Sequence, residues 1–344
     1  MGVSLSDFAE GKPIDIVALK DKIIAIDTFN FLYQFLSTIR GADGGLLVNA
    51  QGQVTSHLVG LFSRTAKLMQ TGLKLVFIID GEAPELKKQE RKRRKQLKES
   101  AQREYEIAKE RHDLDAMKKF ASRTSRLTKD MVEDAIELIE LLGLPYVRAP
   151  SEGEAQASYM AKKGDVYAIA SQDFDSLLFA APKVIRNLSI SGKRKKAGKI
   201  SWETVRPVEV SISDVLNTLG IDQNQLIVLG ILVGTDFNIG GIKGIGPHKA
   251  LKLLKELGTD FDAIFKRVEW GNHFETPWQE IFDLFKNIPT TDDYTLEWKT
   301  PDIEKLKDTL IKKHGFEERR ISGTLERLGK AQEAAKQKGL GDFF

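Results

Sequence analysis

The sequence predicts an α/β fold, a mostly parallel central sheet flanked by helices, with a long helical insert. Three observations predict it. The runs "KIIAID", "LKLVFIID" and "DVYAIASQDFD" are continuous and β-branched, as expected for strands buried on both faces. Helical stretches separate the runs, the pattern of parallel strands joined by crossover helices. Each run also ends in acid. Ligands of parallel sheets bind outside the carboxyl ends of the strands, so these acids converge on one rim.

The elements follow in order. The first strand ends at Asp27, and a helix covers 57–72, "HLVGLFSRTAKLMQTG". The second strand ends at Asp80. The insert 87–128 comes next, helical by propensity but polar all round, so it predicts no side that packs in a core. A helix over 129–143 closes on Gly143, a fitting C-cap. The stretch "LPYVRAPSEGE" reaches Glu152 and Glu154, and the next strand delivers Asp173 and Asp175. A basic segment, "SGKRKKAGK" (191–199), reads as a hairpin tip or loop. In 224–257 a buried helix leads to Asp236. A glycine-rich turn follows, and Pro247 opens another helix. Beyond 260 the chain carries helical signals, such as 302–314, but no motif before its tail.

Composition narrows the function. The 344 residues carry 41% hydrophobic side chains, enough for a large core, and no cysteine. Disulfides, thiolate zinc sites and cysteine catalysis are therefore excluded. No apolar run reaches the ~18 residues of a membrane span, so no membrane association is expected. The net charge of +3 hides strong clustering. The start "MGVSLSDFAEGKP" lacks a signal-peptide layout, although Gly2 and Ser6 match a myristoylation pattern.

Asp27, Asp80, Glu152, Glu154, Asp173, Asp175 and Asp236 are the main chemical signal. Hard divalent cations such as Mg²⁺ take oxygen ligands, and a pair of them serves phosphoryl displacement. In extended chain, Asp173 and Asp175 share a face. The bland reading is that strand-end acids cap turns and helices. Ser151-x-x-Glu154 in particular has the form of a capping box. In the turn "GIKGIGPHKA", Gly244 and Gly246 let backbone approach a phosphate, beside the N–H groups of a helix start. Lys243 and Lys249 add charge. The turn resembles the hairpin of a helix-hairpin-helix element, and a plain helix–helix turn is the alternative. On the insert, Lys87, Arg91, Arg94 and Lys98 share a helical face suited to phosphate, although a solvated surface helix has the same pattern. Spacing alone assigns Tyr33 to core packing. In the tail "QKGLGDFF", Gln337, Leu340, Phe343 and Phe344 have the spacing of a 3₁₀ face and read as a docking peptide.

Together, "AIDTFNFLYQFL", "VFIIDGEAPELKKQERKRR", "APSEGEAQASYM", "ASQDFDSLLF", "GTDFNIGGIKGIGPHKAL" and "QKGLGDFF" resemble the flap endonucleases of archaeal and eukaryotic type, in the structure-specific 5′ nuclease superfamily. The resemblance spans essentially the whole chain. It implies a PIN-like 5′ nuclease domain over 1–330, with a helical arch at 81–128 and a helix-hairpin-helix at 226–258, and a sliding-clamp box in the tail 331–344. It implies that the seven acids hold two Mg²⁺ or Mn²⁺ ions, directly or through water. Lys87 and Arg94 match the catalytic basic pair at the arch base. Tyr33 matches an aromatic that stacks near the unpaired nucleotide, against its spacing. Gly2 matches a processed N-terminus near the site, in place of myristoylation. The glycine turn matches a duplex grip that also takes K⁺, and the tail box matches one that docks on a PCNA-type clamp.

The expected activity is cleavage of 5′-flap and other branched DNA, with 5′–3′ exonuclease action, in Okazaki-fragment maturation and repair. A monomer in the archaeal cytoplasm, at the nucleoid, is expected. The chain stops at the box, with no basic tail and no nuclear signal. Rivals are a relative preferring bubbles, junctions or free 5′ ends, a phosphatase using the Asp-x-Asp pair, and a non-catalytic DNA-binding clamp partner.

Overall fold

The structure is a computed structural model that describes residues 8–41, 44–111, 113–121, 124–190, 192–195 and 202–341. Its strands are β1 (Lys12–Pro13), β2 (Ile23–Asp27), β3 (Lys74–Ile79), β4 (Tyr146–Arg148), β5 (Ala168–Ala170), β6 (Lys183–Arg186), β7 (Gly192–Lys195), β8 (Trp202–Val205) and β9 (Val208–Ser211). Seven of them form one sheet in the order β1-β9-β6-β5-β2-β3-β4. The five central neighbours β6, β5, β2, β3 and β4 run parallel, and β9 and β1 add an antiparallel edge. The basic segment after 191 enters the separate β7–β8 hairpin, as its composition suggested.

Both faces of the sheet are covered, which is why its strands read as unbroken apolar runs. Successive residues of a strand point to opposite faces. Ala25, Val76 and Ile78 therefore join one core with the helices Gly153–Lys163 and Gln223–Val233. Ile24, Ile26, Leu75 and Phe77 join the other, with the helices Thr28–Thr38, Ser56–Gln70 and Lys129–Leu141. Ile24, Ala25 and Ile26 are wholly buried. Each fully buried Ile contributes about 1.5–3 kcal/mol, so β2 is a firm base for the acid at its end.

The insert corrects one expectation. After a 3₁₀ turn at Glu85–Lys87, the helix Lys88–Glu110 packs against a second helix, Leu114–Ala121. Ala101 and Ala108, seven residues apart, are buried, as are Met117 and Ala121. The insert does have a packing side, made of alanines too small to register as an apolar stripe. Its return is tied down where Arg40 Nη2 donates to Ser125 Oγ at 2.6 Å and Ser125 Oγ to the Leu36 carbonyl at 3.2 Å.

Between 260 and the tail, where the sequence carries helical signals but no motif, the structure supplies the helices Phe261–Arg267, Trp278–Asn287 and Ile303–Asp308, and Glu318–Gly341 runs on into the tail. Gln337 and Leu340 fall in the last of these, an α-helix where spacing suggested a 3₁₀ turn. Gly2, Phe343 and Phe344 lie outside the described residues. Among the described residues no single helix is long and apolar enough to cross a membrane.

Candidate metal centre

Local devices bring the acids to one rim. Asp27 ends β2 and caps the next helix, its Oδ1 accepting from Asn30 N–H at 3.0 Å. Asp80 follows β3, and its Oδ1 accepts from Gly153 N–H at 2.7 Å, so it caps a helix on another segment. A Cβ at Gly153 would lie 2.5 Å from Asp80 Oδ1, so a larger residue there would push this carboxylate aside. Gly81 lets the two loops close, donating to the Ser151 carbonyl at 2.7 Å, and a Cβ there would meet the Ala149 oxygen at 2.0 Å. Glu152 is thereby set beside Asp80.

Glu154 departs from its capping-box form. Ser151 Oγ donates to the Glu82 carbonyl instead, and the helix N-cap is Glu152, with no side-chain bond. Glu154 Oε1 accepts from Ser171 Oγ at 3.0 Å and Ser176 Oγ at 3.1 Å, turned toward Asp173 and Asp175. Asp173 Oδ2 accepts from Asn30 Nδ2 at 3.1 Å. Asp175 opens the short helix Asp175–Leu178.

Asp236 arrives by a turn after the helix Gln223–Val233. Thr235 N–H and Oγ1 both donate to Asn238 Oδ1, and Asn238 Nδ2 donates to the Ile231 carbonyl at 2.6 Å. A Cβ at Gly234 would lie 2.5 Å from Gly241 N, so this turn closes only on glycine.

Asp27, Glu152, Asp175 and Asp236 are buried, each 8–9% exposed. Burial and crowding raise the pKa of Asp27, Asp80 and Glu154. Burial, then the charge of Asp80, pushes Asp27 up to about 7. Burial, then Glu152, pushes Asp80 up to about 6. Burial, then Asp175, Asp27 and Asp173, holds Glu154 well above the carboxylate range. Groups that repel this strongly need positive charge among them.

Part of that charge comes from the insert. Lys87 Nζ lies 2.5 Å from Glu152 and 3.3 Å from Asp236. Arg94 Nη2 donates to both oxygens of Asp236 at 2.8 Å. Burial opposes the charge on Lys87, but Glu152 and Asp236 outweigh it and hold the ammonium protonated. Lys98 stands 4.6 Å over the ring of Tyr33, which is 37% exposed. Tyr33 is therefore not a core residue. Arg91, assigned to the same face, points to solvent.

The residue missed at that face is Glu90. It is 2% exposed, and its carboxylate accepts from Arg93 Nε and Nη2 and, at 2.6 Å, from Arg94 Nε. It braces the arginine that reaches Asp236. The available signal was a lone acid in a basic run, three and four residues before arginines. Ser171, Ser176 and Asn30 were also missed, since serines and asparagines at strand ends and in the first turn of a helix are too common to stand out.

The glycine turn is separate from the acids. Gly244 has φ +83° and open space around it. Gly246 N-caps the helix Pro247–Leu257, and Lys249 Nζ donates to the Gly244 carbonyl at 2.9 Å, while Lys243 is exposed. The donor set at the rim is all oxygen, buried and short of positive charge, which fits hard divalent ions such as Mg²⁺ or Mn²⁺. The Asp134–Glu137–His314 group lies elsewhere, on segments that carry none of the seven acids.

The XPG N-terminal domain family matches residues 1–101 and the XPG I-region family residues 143–236. Flap endonuclease 1 of Thermofilum pendens is 48% identical over 347 residues, covering 100% of this chain and 99% of that protein. Flap endonuclease 1 of Pyrococcus furiosus is 45% identical, covering 100% and 99%. Among solved structures, flap endonuclease-1 from Methanococcus jannaschii matches with a TM-score of 0.74 at 39% identity, covering 95% of this chain and 98% of that one. The catalytic core of Rad2 in complex with DNA substrate matches with a TM-score of 0.69 at 25% identity, covering 95% and 100%. The conjunction of acid rim, basic insert helix and full-length similarity identifies the chain as a member of the flap endonuclease family of DNA-cleaving nucleases.

Proposed function

We propose that this chain cleaves 5′-flap DNA near the junction of single strand and duplex, with Mg²⁺ as its natural ion. The observation that carries the reading is the gathering of the seven acids beside two basic side chains of the insert. Asp27, Asp80, Glu152, Glu154, Asp173, Asp175 and Asp236 would hold two divalent ions, directly or through water. Bound there, such ions supply the positive charge that activates a water and stabilises both oxygens of an in-line phosphodiester displacement.

The chain's own residues do the rest. Lys87 and Arg94 are the charges nearest the acids, and they draw the scissile phosphate into a site that otherwise repels it. Tyr33 offers an exposed ring for the nucleotide unpaired at the junction. The 5′ strand passes the insert helices, whose exposed cations follow phosphate. Gly244, Gly246 and the first N–H groups of Pro247–Leu257 grip duplex backbone with Lys243 and Lys249, and K⁺ would bind at that turn. Phosphate contacts carry no base information, so selection is by shape and binding weakens steeply with salt. Gln337, Leu340, Phe343 and Phe344 would dock on a PCNA-type clamp, Gly2 would lie near the site, and the protein would act as a monomer.

The test is a set of labelled 5′-flap, nicked, bubble and single-stranded DNAs, with and without Mg²⁺. Fastest cutting of the flap, only with Mg²⁺, supports the reading. Equal cutting of bubbles would move it to a repair-type relative, and flap binding without cleavage would end it. Loss of clamp stimulation on deleting 337–344, with intrinsic cleavage kept, tests the tail.

A further inference from the structure

A second cluster of donors lies away from the rim. Asp134 and Glu137 stand three residues apart on one face of the helix Lys129–Leu141. Opposite them, His314 ends the turn Thr309–Lys313. One ligand atom from each lies within 4.8 Å of the others. His314 is 5% exposed, and its Nε2 sits 3.9 Å from Asp134 Oδ1, too far for a hydrogen bond.

His57, in the first turn of Ser56–Gln70, adds an independent observation. It is 0% exposed, and among the described residues neither ring nitrogen has a hydrogen-bond partner. Its helix packs against Lys129–Leu141, the helix of Asp134 and Glu137, and the charges of Asp134 and His314 act on it. Gly315, at φ +69°, packs against Asn49 in the loop that leads to His57. Segments distant in sequence thus bring two carboxylates and the His314 imidazole together beside the helix that carries His57, and among the described residues His314 Nε2 and both His57 ring nitrogens have no hydrogen-bond partner.

Lys313 shows that the carboxylates attract a cation: its Nζ lies 2.8 Å from Asp134 and 2.5 Å from Glu137. It does not satisfy the histidines: an ammonium could donate to the lone-pair nitrogen of an imidazole, but His314 Nε2 and both His57 ring nitrogens have no hydrogen bond among the described residues. Its side chain is half exposed and can swing to water.

We propose that Asp134, Glu137 and His314, with His57 beside them, form a second cation site that takes a transition-metal ion of the zinc class. Imidazole nitrogen with carboxylate oxygen suits Zn²⁺ or Co²⁺, whereas Mg²⁺ prefers all-oxygen sites. The ion displaces Lys313 and gives a buried imidazole the partner it lacks. It clamps Ser56–Gln70, Lys129–Leu141 and the 309–315 turn together, a structural role apart from cleavage.

The experiment uses the full chain dialysed against micromolar Zn²⁺ with excess Mg²⁺ to fill the rim acids, followed by metal analysis. Wild type should retain about one Zn²⁺ more than Glu137→Gln or Asp134→Asn, the count of a single site. Co²⁺ should give a visible absorption band in wild type that both variants lose, while their Mg²⁺-dependent flap cleavage stays unchanged. Lys313→Ala, which removes the competing ammonium, should take up Zn²⁺ more tightly. Equal Zn²⁺ content in wild type and Glu137→Gln, or no tightening in Lys313→Ala, would overturn the site. Glu137 and Lys313 are partly exposed, so those two variants decide the matter even if Asp134→Asn fails to fold.

Discussion

The sheet rim and the insert helix carry opposite charge and are held in place in opposite ways. The acids sit at the ends of elements whose Ile24, Ile26, Ile78 and Leu232 are wholly or almost wholly buried. Burial of that kind withstands the desolvation and repulsion that lift Asp27 and Asp80. The cations ride on the insert, whose long helix buries Glu90, Ala101 and Ala108 and is held to the rim side by the ion pairs of Lys87 and Arg94 and by Lys98 over Tyr33. A hold made of ion pairs is open to competition from metal and phosphate. The rim is therefore the fixed half of the site and the insert the adjustable half.

That contrast can be broken in steps. Asp236→Ala removes a rim acid together with the anchor of Arg94, and flap cleavage under single-turnover conditions should fall by more than about 1,000-fold. Lys87→Ala and Arg94→Ala should each cost about 100-fold in rate, the range for a positioned charge at a reacting phosphate. Binding of the flap should change far less, and an equal loss of affinity would make these residues simple DNA contacts. Glu90→Gln keeps the shape of the brace but removes its charge. A loss of roughly tenfold in rate at constant KM is expected, and an unchanged rate would leave Glu90 a purely structural residue.

Smaller effects sharpen the picture elsewhere. Gly244→Ala forces a side chain into the left-handed region at a cost of about 1–2 kcal/mol. Duplex affinity at low salt should weaken with it, while Mg²⁺ dependence stays the same. Asp27 and Asp80 have folded-state values raised to about 7 and about 6, above the ordinary 3.8. Their stabilising contribution is complete below the ordinary value and is lost as pH rises through about 6 to 7. Without divalent ions, Tm should drop over that window. Added Mg²⁺ should restore more at pH 8 than at pH 5, and a flat profile would contradict the crowding.

The contrast also explains what was legible. Strands buried on both faces advertise themselves as apolar runs, so β2, β3 and β5 and the acids after them stand out in the sequence. Which loops approach each other does not: that Asp80 would cap the helix of Gly153 depends on two segments more than 70 residues apart. Ser151 and Glu154 had the form of a capping box, yet tertiary partners at Glu82, Ser171 and Ser176 won both side chains. Tyr33 was misread by spacing because exposure depends on which element passes over a helix, here the insert at Lys98. The buried alanine face of the insert escaped because alanine is equally at home on a solvated helix. No spacing in the sequence could link His57 with His314, because they lie on segments far apart in the chain that only the packing of helices brings near one another.

The central claim is that the rim acids act as one divalent-ion centre for phosphodiester cleavage. The most direct measurement is single-turnover cleavage of a labelled 5′-flap by Asp175→Ala with saturating Mg²⁺, with folding checked by circular dichroism. The account predicts a folded protein that still binds the flap and cuts it at least about 100-fold more slowly than wild type. Cleavage at the wild-type rate would contradict it.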